Sequence, residues 1–414
     1  MTLKTRFTLI GIGIVIFLII VPPLVLFASG FQIDWSNFAI VKTGTLVVET
    51  EPGKALVYLS DKKQRGATPS TIRFLLPKDY QVRIEKPGYQ TWTKRLSVKS
   101  QLVTWANLNR KFIALFLSEP LPLVDFSSDQ TFLSSDQREL VFSVNGEFFF
   151  LSAGSEKPVS LGPATALAPP FEFNAGLVWD NGQKVYEALK KFSEINLSIY
   201  SPTPKISTNG TFTILASADQ LWLVTSSGTE VIATDIDAYL LENDILWFIK
   251  NSSLQSLNLT TKELRTVKQD LPRFKKGQII RSSNYVFLLL DGDLYFANES
   301  LDKIAQAVVF SSWNYGADKL LIATNNEISL FDPQNQKVDL IHRSVSNISN
   351  PVFNAETGYV FFSNEGRIKA IELDGRDQRN IFEFGEAGLG FTLSNNGKLL
   401  YVFSDENIRI LEIR

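Results

Sequence analysis

At 414 residues the chain exceeds the length over which one hydrophobic core usually extends, so two or more domains are expected. A content of 44% hydrophobic and 12% aromatic residues, with 31 Phe, excludes a disordered protein, and a formal net charge of −2 without any run of Lys or Arg excludes the basic field that nucleic acid binding needs. Cysteine is absent, which rules out disulfides, thiol catalysis, thiolate metal sites and a Cys-anchored lipid.

Residues 7–27, FTLIGIGIVIFLIIVPPLVLF, form a stretch of 21 residues without a charge, long enough as a helix to cross a hydrocarbon core of about 30 Å. Lys4 and Arg6 precede it, whereas the first charge after it is Asp34 and the first basic residue Lys42. The positive-inside bias therefore predicts a single-pass protein with a cytoplasmic N-terminus, an anchor within residues 1–30, and everything beyond residue 30 on the extracytoplasmic side of the cell membrane. Pro22 and Pro23 are expected to kink the helix or end it early, and Ala28-Ser29-Gly30 resembles a signal-peptidase site. The apolar run is longer than the roughly 7 to 15 residues of a signal h-region, so an uncleaved anchor is the expectation and a cleaved signal the alternative. In the linker over residues 31–43, Phe31, Trp35 and Phe38 fit either an aromatic belt at the membrane surface or plain linker packing.

From residue 44 to about residue 110 the apolar pattern has period two. Tyr80, Val82 and Ile84 share one face and Gln81, Arg83 and Glu85 the other, and Leu96 and Val98 alternate with Arg95, Ser97 and Lys99. Pro52-Gly53, Thr68-Pro69, Pro77-Lys78-Asp79 and Pro87-Gly88 reverse the chain between strands, which predicts a compact β-sandwich. The residues Pro52-Gly53-Lys54-Ala55, Val57-Tyr58-Leu59, Gly66-Ala67-Thr68-Pro69, Leu76-Pro77, Tyr80 and Lys86-Pro87-Gly88-Tyr89 resemble a PEGA domain. The signature tetrapeptide is degenerate, and Lys78-Asp79 stands where the family has glycine after Leu76-Pro77. The resemblance implies an extracytoplasmic β module of bacterial envelope proteins, without known catalytic residues, that serves as a spacer or interaction unit. The order of anchor, linker, PEGA-like unit and long β region is also similar to membrane-anchored PEGA proteins from bacteria of small genome.

Residues 111–414 carry a recurring strand, turn, strand unit with polar tips at 140–151, 177–186, 214–224, 245–257, 286–297, 320–331, 359–371 and 400–411. The first apolar residue after each tip falls at Phe148, Val185, Leu221, Leu254, Leu294, Ile328, Ile368 and Ile408, giving steps of 37, 36, 33, 40, 34, 40 and 40 residues. Such spacing suits four-stranded propeller blades. Ser134-Ser135-Asp136, Ser207-Thr208-Asn209-Gly210 and Ser394-Asn395-Asn396-Gly397 resemble the polar opening turn of TolB-like and WD40-like blades. Lys337 to His342 and Gln378 to Phe382 read as outer strands, and the last unit, which has none of its own, is expected to borrow one from KFIALFL at 111–117. Val185, Leu189, Phe192 and Ile195 fall at helical spacing, so both seven and eight blades fit.

No catalytic, cofactor-binding or metal-ligating residue is assigned. His342, the only histidine, alternates with Ile341 on an expected outer strand and reads as an exposed blade-edge residue rather than a general base. Asp291-Gly292-Asp293 and Asp374-Gly375-Arg376-Asp377 place carboxylates close enough for a calcium site or an acid/base pair, but hairpin tips select Asp and Gly for backbone reasons. Trp179, Trp222, Trp247 and Trp313 read as inter-blade core rather than as sugar-stacking platforms. The fold expected is therefore all-β with one N-terminal transmembrane helix: a small PEGA-like β-sandwich over 44–110, then a seven- or eight-bladed β-propeller over 111–414. The function expected is a non-enzymatic, membrane-anchored binding or scaffolding protein of the cell envelope, without cofactor, whose partner is an envelope protein or cell-wall glycan. The alternative is an extracytoplasmic, carboxylate-dependent glycan hydrolase or lyase on the same scaffold.

Overall fold

The computed structural model describes residues 3–414 except 36–37, 108–110, 128–129, 134–138, 153–157, 164–204, 209–210, 218, 226–227, 283, 315, 395 and 405–406. Among the described residues there is one helix, and the other regular elements are strands. The chain divides into two compact units: Met1–Glu119 with Asp374–Asn380 and Arg414, and Pro120–Leu373 with Ile381–Ile413.

The first unit begins with the helix Leu3–Ala28, whose 26 residues at about 1.5 Å each reach about 39 Å, longer than a bilayer core. From Ile10 to Ala28 none of the helix is buried, so it is not a core helix of the first unit. Pro22 and Pro23 were expected to end or kink the helix, yet it continues through both. It stops where Gly30, at φ 81°, takes a left-handed conformation that costs a residue without Cβ nothing. After a short hairpin come two packed sheets. One orders Val103–Trp105, Gly44–Val48 and Ser70–Leu75; the other orders Lys62–Ala67, Leu56–Leu59, Asp79–Glu85 and Trp92–Ser97. Leu46, Val48, Val57, Tyr80, Val82, Ile84, Trp92, Leu96 and Val98 fill the space between them. Their alternation along each strand is the period-two pattern of the sequence made physical.

KFIALFL does not close the last blade. Ile113–Ala114 pairs in parallel with Thr50–Glu51, and Ile113, Ala114, Leu115 and Phe116 are all buried in the first unit. Four consecutive buried residues suit a segment covered on both sides, not an outer strand with one face in water.

The second unit is a β-propeller. Among the described residues it holds seven four-stranded antiparallel sheets, six of them built from consecutive strands a to d over 130–163, 205–233, 236–268, 277–305, 310–343 and 348–386. Seven of the eight expected hairpins form strands b and c of these sheets; the eighth, 177–186, lies outside the described residues, as do Val185, Leu189, Phe192 and Ile195. The closing sheet takes strands a to c from Gly390–Leu393, Leu399–Phe403 and Asn407–Glu412, and its outer strand is Leu121–Ser127, paired antiparallel with Asn407–Glu412. The expected borrowing from the N-terminal side occurs, with a different donor. Phe142 of the 130–163 sheet then packs with Leu399, Tyr401, Phe403, Ile408 and Ile410 of the closing sheet.

Among the described residues the sheets from 236–268 to the closing one each pack between two neighbours, which explains why their b strands are buried on both faces. Tyr359–Asn364 and Leu399–Phe403 are buried at every position, whereas the outer strand Leu264–Lys268 is exposed along most of its length. Sheet-to-sheet contact is apolar, as where Trp247, Ile249 and Leu254 meet Ile279, Val286 and Leu288. It is pinned by polar residues at one end. The Asn314 amide donates to Phe353 O at 2.9 Å, and the amide of Asn354 donates to Ser394 O at 3.3 Å while its Oδ1 accepts from Thr357 N at 2.9 Å. The outer strand of the 348–386 sheet begins at Ile381 rather than at Gln378, because Asp374–Asn380 belongs to the first unit.

Candidate functional site

The rim of the propeller formed by its b–c tips and d–a loops is built by one repeated hydrogen bond. The tip carbonyls of Asp219, Ser252, Gly292, Asn326 and Gly366 accept from the N–H groups of Ile236, Leu271, Val308, Ser344 and Ala387 at 2.8–2.9 Å. The tips themselves are tight turns, as at Asp291-Gly292, with φ of 50° and 87°, and Glu365-Gly366, with φ of 55° and 74°. Positive φ at both central residues matches the right-handed twist of the flanking strands. Each loop is thereby tied to the tip of the preceding sheet, leaving concave spaces between ties.

One such space is a groove of about 470 Å³ lined by Asp219, Asp235, Asp237, Asn251, Arg273 and Phe274, together with Ile236, Ser252 and Pro272. Asp219 comes from the tip of the 205–233 sheet, Asp235 and Asp237 from the entry to the 236–268 sheet, and Arg273 and Phe274 from the loop into the 277–305 sheet. The ring of Phe274 sits against Gly277, where a Cβ would meet Phe274 Cε2 at 2.6 Å; only glycine permits that approach. Asp235 accepts from Thr234 Oγ1 at 3.1 Å and lies 3.5 Å from Lys250 Nζ. The side chains of Asp219, Asp237 and Arg273 are exposed. This wall is polar and mostly anionic, with one aromatic face, and offers hydrogen-bond acceptors to a ligand rich in donors or positive charge. At the other ends of these a strands, away from the groove, Glu242 and Arg281 pair across two neighbouring sheets at 3.1 Å, and the guanidinium lies 4.2 Å from the Trp247 ring centroid.

The residues singled out in the sequence fall elsewhere. Asp291 caps a turn, accepting from Lys275 N and Lys276 N; those two backbone bonds, led by that of Lys275, hold its carboxyl below the ordinary value. Asp293 pairs with Lys303 at 2.7 Å. Asp374 accepts from the backbone and guanidinium of Arg376. Burial works against ionisation of Asp374, but the Arg376 bonds and the charges of Lys94 and Arg376 outweigh it, so its carboxyl is held low. Among the described residues no group of three or more His, Asp or Glu is arranged to hold a metal ion. Trp247 and Trp313 are buried in apolar clusters, Trp222 is half-buried on strand c, and Trp179 lies outside the described residues.

His342 is half-buried rather than exposed at an edge, because its ring packs 5.1 Å from that of Phe362 on the next sheet. Burial first, and the charge of Lys369 second, push its pKa below the ordinary 6.5. Folding therefore favours the neutral imidazole. The contribution of His342 to stability is complete above pH 6.5 and declines as pH falls from there through the folded-state pKa. As the only histidine, it gives one imidazole resonance in a ¹H–¹⁵N correlation spectrum, and its titration midpoint is expected below 6.5. A midpoint at or above that value would mean the Phe362 contact does not form in solution.

Comparison with known proteins places a PEGA domain at residues 43–111. No curated protein matches the sequence. Among solved structures, the chain is similar to the extracellular domain of a one-component system from B. thetaiotaomicron, with 11% identity and a TM-score of 0.39 over 71% of this chain and 39% of that one. It is also similar to the C-terminal WD40 domain of Sif2, with 8% identity and a TM-score of 0.37 over 73% of this chain and 100% of that one. Kuenenia stuttgartiensis hydrazine synthase shares 10% identity at a TM-score of 0.39 over 68% of this chain and 94% of that one. At these scores the likenesses add nothing to the sheet order, which makes the unit a propeller by itself.

Proposed function

We propose that the protein is a membrane-anchored, extracytoplasmic binding or scaffolding protein of the bacterial envelope, whose propeller recognises an envelope protein or cell-wall glycan in the groove of Asp219, Asp235, Asp237, Arg273 and Phe274. The observation that carries this reading is the groove itself, a preformed concavity of about 470 Å³ with converging polar groups and one aromatic wall. The apolar helix Leu3–Ala28, preceded in its sequence by no acidic residue and bearing Lys4 and Arg6 at its start, supports an anchor with the N-terminus in the cytoplasm. The hydrolase or lyase alternative gains nothing from the titrating groups. Glu263, Asp291, Asp332, Asp374 and Asp377 are all held below their ordinary values, the opposite of what a general acid requires.

The test is a pull-down from cross-linked envelopes with the full-length protein and a variant carrying Asp219→Asn, Asp235→Asn and Asp237→Asn. Recovery of one partner is expected with the wild type and should fall about tenfold with the variant, as for loss of roughly 1.4 kcal/mol of charge-assisted contact. The same loss should follow from raising salt, since the three carboxylates are exposed enough to be screened. Equal recovery with both proteins would remove the groove from the role. Repeated recovery of nothing by the wild type would count against recognition altogether.

A further inference from the structure

We propose that the first unit is held down on the lipid surface by a second membrane contact beyond the helix: the hairpin over 31–42 and the bulge bearing Phe74 insert aromatic side chains among the lipid headgroups. This rests on reading Leu3–Ala28 as a membrane span. The hairpin pairs Phe31–Asp34 with Ala39–Lys42, placing Ile33 opposite Ile40 on one face, with Trp35 and Phe38 at the tip. Trp35 is 72% exposed, Phe38 85% and Ile40 56%, so these three side chains leave most of their apolar surface uncovered by protein.

That segment is fastened to the end of the helix. The backbone N–H and the hydroxyl of Thr43 both donate to Gly30 O, at 2.8 and 2.9 Å. Phe74 stacks on Phe27 in the last turn of the helix, ring centroids 5.0 Å apart, and still exposes 41% of its surface. The pairing of Gly44–Val48 with Ser70–Leu75 shifts register between Gly44 and Leu46, and Phe74 stands at φ 59° within that irregularity. A left-handed conformation costs a side chain of this size about 1–2 kcal/mol, and bulges re-aim side chains; here the device turns an aromatic ring out of its sheet toward the helix end. Leu102, 56% exposed, adjoins the same junction through the bond from Thr45 N to Leu102 O.

Phe74 and the base of the hairpin adjoin the end of the apolar helix, and the tip with Trp35 and Phe38 is four residues, about 13 Å of strand, from that base. This is within reach of the depth at which Trp and Phe are favoured because one side of the ring meets acyl chains and the other water. Arg73, exposed beside Phe74, can lay its stem along the apolar surface and present its guanidinium to lipid phosphate. A bilayer is the one occupant continuous with the span itself.

The absence of cysteine makes the test direct. Single nitroxides are attached to the full chain in phospholipid nanodiscs through Val15→Cys, Phe38→Cys, Arg73→Cys and, as the exposed control, Val345→Cys. Power saturation then compares collision with oxygen, which partitions into lipid, and with a water-soluble nickel chelate. Labels at 38 and 73 are expected to be at least about threefold less open to the chelate than that at 345, with the label at 15 fully shielded. Labels at 38 and 73 as open as 345, with 15 shielded, would overturn the second contact and leave the span standing. An open label at 15 would overturn both.

Discussion

Deleting Leu121–Ser127 should lower the thermal midpoint of the second unit by roughly 10 °C or more, corresponding to about 4 kcal/mol at the usual 2–4 °C per kcal/mol for a unit of this size. This strand is the fourth of the closing sheet and meets Asn407–Glu412 through Val124 opposite Ile410 and Phe126 opposite Ile408. Without it the backbone groups along Asn407–Glu412 lose their outer partners. The new edge carries Ile408 and Ile410, both buried in the intact protein, and would template pairing between copies. Loss of the monomer peak in size exclusion should therefore accompany the lowered midpoint in calorimetry. An unchanged midpoint would show that the ring is held shut without the borrowed strand.

The second large effect is expected at Asp374. Lys94 is fully buried on the strand Trp92–Ser97; its Nζ donates to Asp374 O at 2.5 Å and lies 3.8 Å from Asp374 Oδ2. The same carboxylate accepts from Arg376, whose guanidinium continues to Trp105 O and Ala106 O at 2.9 and 2.7 Å. Asn380 exchanges two hydrogen bonds with the backbone of Thr93, and Asp377 accepts from Arg95 N at 2.8 Å. Asp374→Ala leaves two cations facing each other with one of them out of reach of water, which should cost about 3–5 kcal/mol. Lys94→Met, by contrast, leaves Asp374 paired with Arg376 and should cost less than about 1.5 kcal/mol. Chemical denaturation of the two variants checks the order, and equal losses would refute it. The Asp374 carboxyl is held below its ordinary value, so its stabilising contribution is present above the usual carboxylate range and disappears as pH falls through the folded-state pKa.

Much of this architecture was legible in the chain because it rests on period-two alternation. Tyr80, Val82 and Ile84 lie inside as their spacing requires, and each hairpin from 140–151 to 400–411 that falls within the described residues forms strands b and c of a sheet. The closing strand was misassigned for an instructive reason. KFIALFL is the greasier candidate, but outer strands here are the exposed ones, so LPLVDFS, with Asp125 exposed, suits that place better. Lys94 was legible and overlooked: it stands two residues before Leu96 on the buried face, and that register puts a charge inside. Its partner could not be found that way, since Asp374 lies 280 residues further on. The groove was hidden for the same reason. Asp219 and Asp235 look like ordinary turn residues until the loops of neighbouring sheets bring them together.

The clasp of Asp374–Asn380 on the strand Trp92–Ser97 also has a bearing on biogenesis. As the polypeptide leaves the ribosome, the sandwich around Trp92 emerges early, before the Asp374 carboxylate that Lys94 faces in the finished fold has been made. Lys94 and the backbone of Thr93 meet Asp374 and Asn380 only after nearly three hundred more residues have been synthesised. A nascent or prematurely terminated product thus exposes an open seam that the finished molecule hides, a mark by which quality-control proteases could tell the two apart.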